Sequence, residues 1–326
     1  MMFGIDDKLV IRTDFRIELL SLVIFLSDLN EKHFIVKREN EYTAMLNTEF
    51  KSFKRHQVVS KFPDIWDKGL RWDGIPQLAL HLNDNIELLN QIKYSHDLQS
   101  RFKNNINELV EFVDLLRDFA NKTNFESYYK KEYKNVERYL SILNQELERY
   151  PVIPILEKYI NLKLNKTTVI LSNLLKSAYG ITIGSKNYKE ICCILSRHWL
   201  NVAIQNNCLD RILLSTIWHE FLHSIINPLT DKLFKNPYDL SETQLDWYCK
   251  LNESIIWAIT LRLLIQEKIV CATNNEWYFK NAIRNGAPKT KEMNDLLVEY
   301  EKNKLKFKSI DNYYPILQKE FGQIPK

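Results

Sequence analysis

Apolar residues recur along this chain at two spacings, and each spacing predicts its own kind of secondary structure. Spacings of three and four residues keep apolar side chains on one helical face, so they predict a mostly helical chain. The predicted helices lie at 15–29, 40–60, 76–92, 97–121, 126–149, 211–226, 241–266, 275–284, 290–304 and 310–321. Short runs of β-branched or apolar residues, bounded by turn-forming residues, predict strands at 8–12, 166–175, 179–184 and 190–196.

The predicted elements change in character near the middle of the chain. Helical patterns dominate up to Pro151 and Pro154, two helix-breaking residues that predict a boundary. Beyond them the short strands come first and helices follow. We therefore predict an α+β fold that is predominantly α. Its mainly helical N-terminal region covers 1–160, and its second region, with the small sheet, covers 161–326.

Composition and charge exclude several classes of protein. Apolar residues make up 45% of the 326 residues and charged residues 26%, which is typical of a globular protein. The formal charge is only +4, from 45 basic and 41 acidic residues, and so does not indicate a nucleic-acid partner. The longest apolar runs, at 17–26 and 255–265, are shorter than the ~20 residues that span a membrane.

The first residues and the cysteines predict a cytoplasmic location. No basic segment followed by an apolar one opens the chain, so we expect no signal peptide. The five cysteines are odd in number and form no CxxC pair, which indicates reduced thiols and argues against a cysteine-based metal site. The oligomeric state is not predicted by any pattern in the sequence.

One predicted helix combines apolar residues with ionisable ones, in the segment TIWHEFLHSIINPL at 216–229. We expect this helix to begin at Asp210 as N-cap and to end before Pro228. On a helical projection the polar residues share an arc of about 100°. These residues are Thr216, His219, Glu220, His223 and Asn227. Apolar residues cover the other directions of the helix, so we expect the polar face to contact a polar group in an enclosed part of the protein.

A divalent cation would explain this polar face. Burying a carboxylate without a partner costs several kcal/mol. Histidines at i and i+4 present both imidazoles to one point, and the intervening HExxH glutamate lies beside that point. The sequence therefore predicts zinc ligands at His219 and His223, next to Glu220. The alternative is a chance motif of two core histidines and a surface glutamate.

A catalytic zinc site generally has a third protein ligand. Because no histidine follows His223, the downstream candidates are carboxylates. Glu253 is favoured, since it lies in a nearly all-apolar predicted helix where a carboxylate is costly without a cation. Asp231, Glu242 and Asp246 remain alternatives, although more polar sequence or a helix end surrounds them.

These residues resemble the gluzincin group of zinc metallopeptidases, which combine HExxH with a glutamate on a following helix. The resemblance covers about 166–266. More narrowly, four segments resemble a bacterial family of unknown function that is grouped with predicted metallopeptidases. These segments are FRIELLSLVIFLS, VILSNLL with the later YG, HEFLHSIINPLTDK and NESIIWAI. The resemblance implies zinc binding by His219, His223 and Glu253, with Glu220 as catalytic base and a peptide or protein as substrate.

The chain departs from the gluzincin pattern at one position. Trp257 stands four residues after Glu253, where many gluzincins carry an aspartate that supports a histidine ligand. Another residue would then have to orient the metal ligands, with Asn227 or Asp231 as candidates.

Two further parts of a peptidase site have candidates in the sequence. Tyr313 or Tyr314 could stabilise the oxyanion, although a core position is the simpler interpretation of either. A peptide substrate could add to a sheet edge at 169–172 or 191–196, although both segments also suit core strands.

We therefore expect a zinc-dependent peptidase that acts on a peptide or protein. The alternative is a zinc-binding protein without proteolytic activity, in which the metal is structural or regulatory. A helical interaction module with a chance motif is the third possibility.

Overall fold

A computed structural model describes residues 3–4, 8–27, 29, 35, 41–89, 98, 101–102, 106–185, 188–237 and 239–325. The helices of these residues are, in chain order, α1 (Phe15–Leu26), α2 (Glu41–Phe50), α3 (Gln57–Asp67), α4 (Gly74–Leu80), α5 (Ile106–Thr123), α6 (Phe125–Arg149), α7 (Val152–Ile160), α8 (Arg197–Gln205), α9 (Leu209–Asp231), α10 (Glu242–Gln266), α11 (Glu276–Arg284), α12 (Thr290–Lys302), α13 (Lys304–Phe307) and α14 (Ile310–Phe321). A 3-10 helix, Lys51–Arg55, follows α2. The strands are β1 (Phe3–Gly4), β2 (Leu9–Arg12), β3 (Lys166–Ser172), β4 (Tyr179–Ser185) and β5 (Tyr188–Ser196). The predicted α+β class with a predominance of helix is confirmed.

Contacts within the chain group these elements into two compact units. The first unit comprises Met1–Glu148 and Asn165–Asn206, and the second comprises Arg149–Leu164 and Asn207–Lys326. The first unit thus contains the strands, and the second contains α7 and α9 to α14. Because contacts in a folded chain do not show which segments fold independently, the predicted division into 1–160 and 161–326 stays a prediction.

The described strands of the first unit form a mixed sheet in the order β1-β2-β3-β5-β4. β2, β3 and β5 are parallel, whereas β1 and β4 pair antiparallel with their neighbours. Both β3 and β5 therefore lie inside the sheet. The predicted substrate edge at 169–172 or 191–196 is wrong. Strand β5 reads as the uninterrupted apolar run ICCIL, which is typical of a strand covered on both faces.

Helix α1 lies in the core of the first unit. It begins as predicted, because the Asp14 carboxylate accepts a hydrogen bond from the backbone N–H of Arg16 at 3.0 Å. Apolar residues cover nearly every direction of α1, and they pack with apolar residues of α3, α5 and the sheet, including Phe62, Phe112 and Ile194.

Several predicted helices of this unit have different bounds. The helix predicted over 40–60 is divided into α2, the 3-10 helix and α3, which continues to Asp67. The helix predicted over 76–92 ends at Leu80. Beyond it the Asn83 side chain accepts hydrogen bonds from the backbone N–H groups of Asn85 and Glu87, both at 2.9 Å. These side-chain bonds replace helical ones and stabilise a turn. The helix predicted over 97–121 is α5, which lies at 106–123, and 103–105 are outside the described residues.

Helix α9 of the second unit is longer than predicted at both ends. It begins at Leu209, one residue before the expected N-cap Asp210, whose carboxylate accepts a hydrogen bond from the backbone N–H of Arg211 at 2.7 Å. It continues through Pro228 to Asp231. A proline inside a helix costs about 3 kcal/mol. Tertiary contacts hold the last turn, since the hydroxyl of the fully buried Thr230 hydrogen-bonds Oδ1 of Asn252 and the Tyr314 hydroxyl.

No helix among the described residues is both long and apolar enough to cross a membrane.

Candidate metal centre

The two histidines of the HExxH motif lie on one side of α9. Apolar side chains cover the other sides of the helix, where Ile217, Trp218 and Phe221 are fully buried. The indole N–H of Trp218 donates a hydrogen bond to the backbone carbonyl of Val152 at 3.1 Å and so ties α9 to α7. One helical turn separates His219 from His223, which brings both rings to the same face.

Glu253 lies on α10, which packs along α9. Helix α10 begins with a capping box, in which Ser241 and Gln244 satisfy each other's backbone N–H groups. Around Glu253, Leu251, Ile255 and Ile256 are fully buried. These contacts hold the carboxylate beside α9, as the sequence predicts.

One ligand atom from each of His219, His223 and Glu253 lies within 4.8 Å of the other two. The two Nε2 atoms are 3.3 Å apart. The Glu253 carboxylate places Oε2 3.5 Å from Nε2 of His219 and Oε1 3.5 Å from Nε2 of His223. The three side chains keep 17%, 21% and 26% of their surface exposed, so solvent can reach them.

These distances fit a shared cation better than direct hydrogen bonds. Ligand atoms of a tetrahedral zinc site, about 2.0–2.1 Å from the metal, lie about 3.3–3.4 Å from each other. A charge-assisted N–H···O hydrogen bond would bring the carboxylate oxygens to about 2.7–2.9 Å. Both carboxylate contacts are longer, at 3.5 Å. Two imidazole nitrogens and a carboxylate oxygen are also a donor set that zinc prefers.

The electrostatics of the site favour a metal as well. Burial and the neighbouring His223 hold the pKa of His219 well below its ordinary value, so its imidazole is neutral and has a lone pair for a metal. Burial raises the pKa of Glu253, while His223 and a hydrogen bond from Trp257 act in the opposite direction. A cation would stabilise the charged carboxylate that burial disfavours.

Two side chains lie against the histidines of the site. Asn227, one of the two residues predicted to support the ligands, places its Oδ1 3.5 Å from Nδ1 of His223, which is long for a hydrogen bond. The ring of Trp257 lies edge-to-face against His219, with centroids 5.5 Å apart. Asp231 accepts a hydrogen bond from the Tyr248 hydroxyl at 2.8 Å, about two turns beyond His223.

Glu220 directly follows His219 on α9 and is 9% exposed. This residue also has interactions within the structure. The sequence prediction of a buried carboxylate beside the histidine pair agrees with this position, and its role as catalytic base stays a prediction.

The other carboxylates that the sequence left open lie elsewhere. Asp246 is exposed and forms an ion pair with Lys250 at 2.6 Å. Glu242 is exposed in the first turn of α10. Within the described part of the chain, His219, His223 and Glu253 are the group of three side chains whose arrangement could hold a metal ion.

Both tyrosines considered for the oxyanion are core residues. Tyr313 is 2% exposed and donates its hydroxyl to the backbone carbonyl of Leu296 at 2.8 Å. Tyr314 is 4% exposed, and its hydroxyl lies 2.6 Å from Oγ1 of Thr230. The structure therefore agrees with the simpler interpretation of either residue.

From the sequence, Trp257 was treated only as a departure from the gluzincin pattern, yet its ring packs edge-to-face against His219. Its position four residues after Glu253 was a usable signal, because residues at i and i+4 are neighbours on a helix. Because many gluzincins have an aspartate at this position, the tryptophan was interpreted as a departure from the pattern and not as a contact of the site.

Comparison with known proteins identifies a family and no activity. The family model described as Domain of unknown function (DUF4932) matches residues 9–319, a range that includes every residue of the candidate site. No curated protein matches the chain, and no solved structure does. The zinc peptidase resemblance accordingly stays a prediction. With nearly its whole length matched, the chain belongs to the DUF4932 family.

Proposed function

We propose that the protein is a zinc-dependent metallopeptidase, with His219, His223 and Glu253 as metal ligands and Glu220 as general base. The observation that carries this proposal is the convergence of three side chains: the two Nε2 atoms are 3.3 Å apart, and each lies 3.5 Å from one oxygen of the Glu253 carboxylate. These distances are close to the spacing of tetrahedral zinc ligands, and the residues come from an HExxH helix and a following helix.

The proposed mechanism assigns separate tasks to the metal and to the protein. Zinc supplies Lewis acidity, which makes water nucleophilic near neutral pH and polarises a carbonyl group. Glu220 takes the proton of the attacking water and then delivers it to the leaving amine. Since Glu220 is offset by about 100° from His219 on the helix, it can act on the water while the histidines hold the metal.

A structural role for the metal is the second candidate, and one observation favours it. The ligands come from α9 and α10, which pack against each other, so a metal would also join these helices. Zinc that joins two helices contributes directly to the free energy of folding.

Substitution of the general base separates the two candidates. Glu220→Gln should retain stoichiometric zinc, measured by mass spectrometry of the purified protein. It should also lower peptide hydrolysis by about 10²-fold or more, because a general base contributes about 10²–10⁴-fold. The measurement is cleavage of a peptide library by protein kept from chelators. Glu242→Gln is the matched control, since Glu242 is an exposed carboxylate of the same unit.

The outcomes differ for the two candidates. Hydrolysis that persists undiminished in the zinc-loaded Glu220→Gln protein would contradict the assigned base. If the wild-type protein binds zinc and cleaves no peptide, and His219→Ala lowers the melting temperature, the structural candidate is favoured instead.

A further inference from the structure

Helix α9 leaves one strip of its surface open to solvent. Between residues 211 and 223 its unburied residues are Arg211, Ile212, Ser215, Thr216, His219 and His223, which we call the open strip of α9. On a helical projection these residues share an arc of about 140°. The open strip includes both histidines of the candidate metal centre. It continues to Arg211, which lies about 12 Å along the helix axis from His219.

Arg211, at the far end of the open strip, contacts Trp277 of α11. Its guanidinium carbon lies 5.2 Å from the centroid of the Trp277 ring. At this distance a cation is attracted to an aromatic face. Both residues are on the surface, since Arg211 is exposed and Trp277 is 47% exposed. Tryptophan and arginine are enriched among the residues that dominate binding energy, so this exposed pair is suited to bind a partner.

A series of aromatic contacts connects Trp277 to the metal centre. The ring of Trp277 packs edge-to-face against Tyr278, with centroids 5.5 Å apart. Tyr278 packs in the same way against Trp257 at 5.2 Å, and its hydroxyl donates a hydrogen bond to the backbone carbonyl of Trp257 at 3.0 Å. Trp257 in turn packs against His219 at 5.5 Å. These contacts hold the first turn of α11 beside the open strip.

The guanidinium of Arg211 has no acidic partner in the described part of the chain. The neighbouring Asp210 carboxylate accepts a hydrogen bond from the backbone N–H of Arg211 at 2.7 Å. The side chain itself contacts Trp277 and forms no ion pair with a described residue. A guanidinium carries five N–H donors in a planar fork that fits both oxygens of a carboxylate. An acidic group is therefore the partner whose charge and shape complement Arg211.

We propose that Arg211, held against Trp277, binds an acidic side chain of the peptide substrate; this inference rests on the proposed zinc peptidase. An extended peptide advances about 3.3 Å per residue, so a span of about 12 Å corresponds to three or four residues. Helical side chains tilt toward the N-terminus, and arginine is longer than histidine, which lengthens the span. The enzyme accordingly favours peptides with glutamate or aspartate at the third to fifth residue on one side of the cleaved bond.

Cleavage of a peptide series tests this preference. Each peptide carries one glutamate at a different position, and its counterpart carries glutamine there. With zinc-loaded wild-type protein, kcat/KM should be about 5-fold higher for glutamate at a predicted position, which is the effect of one favourable exposed ion pair. Arg211→Gln should bring this ratio to about one, and Arg211→Glu should favour lysine at the same position.

Lys319→Gln is the matched control for Arg211→Gln. Lys319 is an exposed cation on α14 of the same unit, so its substitution removes the same charge from a different helix. The variant should retain the wild-type ratio between the glutamate and glutamine peptides. This control separates a contact of Arg211 from an effect of net charge.

A binding measurement separates recognition from hydrolysis. Zinc-loaded Glu220→Gln protein should bind the preferred glutamate peptide about 5-fold more tightly than its glutamine counterpart, measured by isothermal titration calorimetry. The double variant with Arg211→Gln should bind both peptides equally. In wild-type protein the preference should also fall between about 0.1 and 1 M salt, because the screening length falls from about 10 to 3 Å. The salt measurement decides the question if Arg211→Gln does not fold.

Each outcome has a distinct meaning. A zinc-loaded wild-type protein that cleaves no peptide overturns the proposed function and this inference together. Cleavage without a preference for glutamate at the third to fifth residue overturns only the inference. A preference that folded Arg211→Gln retains also overturns only the inference, as does a preference that 1 M salt leaves unchanged if this variant is unfolded.

Discussion

At the scale of single residues, Glu18 is a carboxyl group in the core of the first unit. It is 1% exposed, and its Oε1 accepts a hydrogen bond from the backbone N–H of Asn173 at 2.9 Å. Its Oε2 is buried without a hydrogen-bond partner among the described residues. Burial raises the pKa of Glu18 to about 7, although hydrogen bonds and the charge of Arg197 act in the opposite direction. The folded protein therefore holds a proton that the unfolded chain releases.

This difference predicts how stability depends on pH. Because the pKa is raised from 4.5 to about 7 on folding, the Glu18 contribution is fully present below pH 4.5 and is lost as pH rises to about 7. The loss corresponds to roughly 3 kcal/mol. Glu18→Gln mimics the protonated acid, so its stability relative to wild type should increase by about this amount over the same pH window.

Urea unfolding across this pH window measures the effect. Glu41→Gln, which changes an exposed carboxylate of the same unit, should run parallel to wild type. A constant difference in unfolding free energy between Glu18→Gln and wild type would contradict the prediction.

The residues of the candidate site differ in how visible they are from sequence. His219, His223 and Glu253 stand out because each is a polar group in an apolar helix, and such a group requires a partner. Trp257 is apolar in an apolar helix and does not stand out, although it contacts His219. Polar residues in an apolar helix can therefore be recognised as candidate ligands, whereas an aromatic residue that packs against a ligand cannot.

At the scale of elements, α10 depends on its first turn. Ser241 caps the helix through its hydroxyl, which accepts a hydrogen bond from the backbone N–H of Gln244 at 3.3 Å. Ser241→Ala should lower the free energy of unfolding by about 1 kcal/mol, because a helical N–H loses its acceptor. Thermal unfolding measures this change.

The metal site provides a check on this prediction. Glu253 lies about three turns along α10, so zinc affinity should be the same in Ser241→Ala as in wild type. Ser241→Asp is the control, since aspartate also caps helices and should retain wild-type stability. An unchanged stability in Ser241→Ala would show that the cap is unimportant.

Helix bounds could be predicted where local signals agree with packing. Asp14 caps α1 as expected, because its carboxylate accepts a hydrogen bond from the backbone N–H of Arg16. Near Asn83 a local side-chain turn replaces the predicted helix. At Pro228 packing outweighs a helix-breaking residue, so α9 continues. Local signals fail where contacts distant in sequence decide the outcome.

At the scale of the whole molecule, sequence patterns predict most of the elements, although not α7, α8 or β1, and they do not predict the order of the strands in the sheet. Strands at 166–175 and 190–196 were expected, but their pairing on both sides depends on β2 and β4. Strand β2 precedes β3 by more than 150 residues, and no local spacing encodes such a pairing. The grouping of 149–164 with 207–326 likewise arises from contacts between distant segments.

The central claim is that one zinc ion joins α9 to α10 through His219, His223 and Glu253. A crystal of the zinc-loaded protein, with diffraction measured on both sides of the zinc absorption edge, tests this claim most directly. We predict one anomalous peak about 2.0–2.2 Å from the two Nε2 atoms and a carboxylate oxygen of Glu253. A zinc-loaded crystal without a peak there, or with the Glu253 side chain directed away from the histidines, would contradict it.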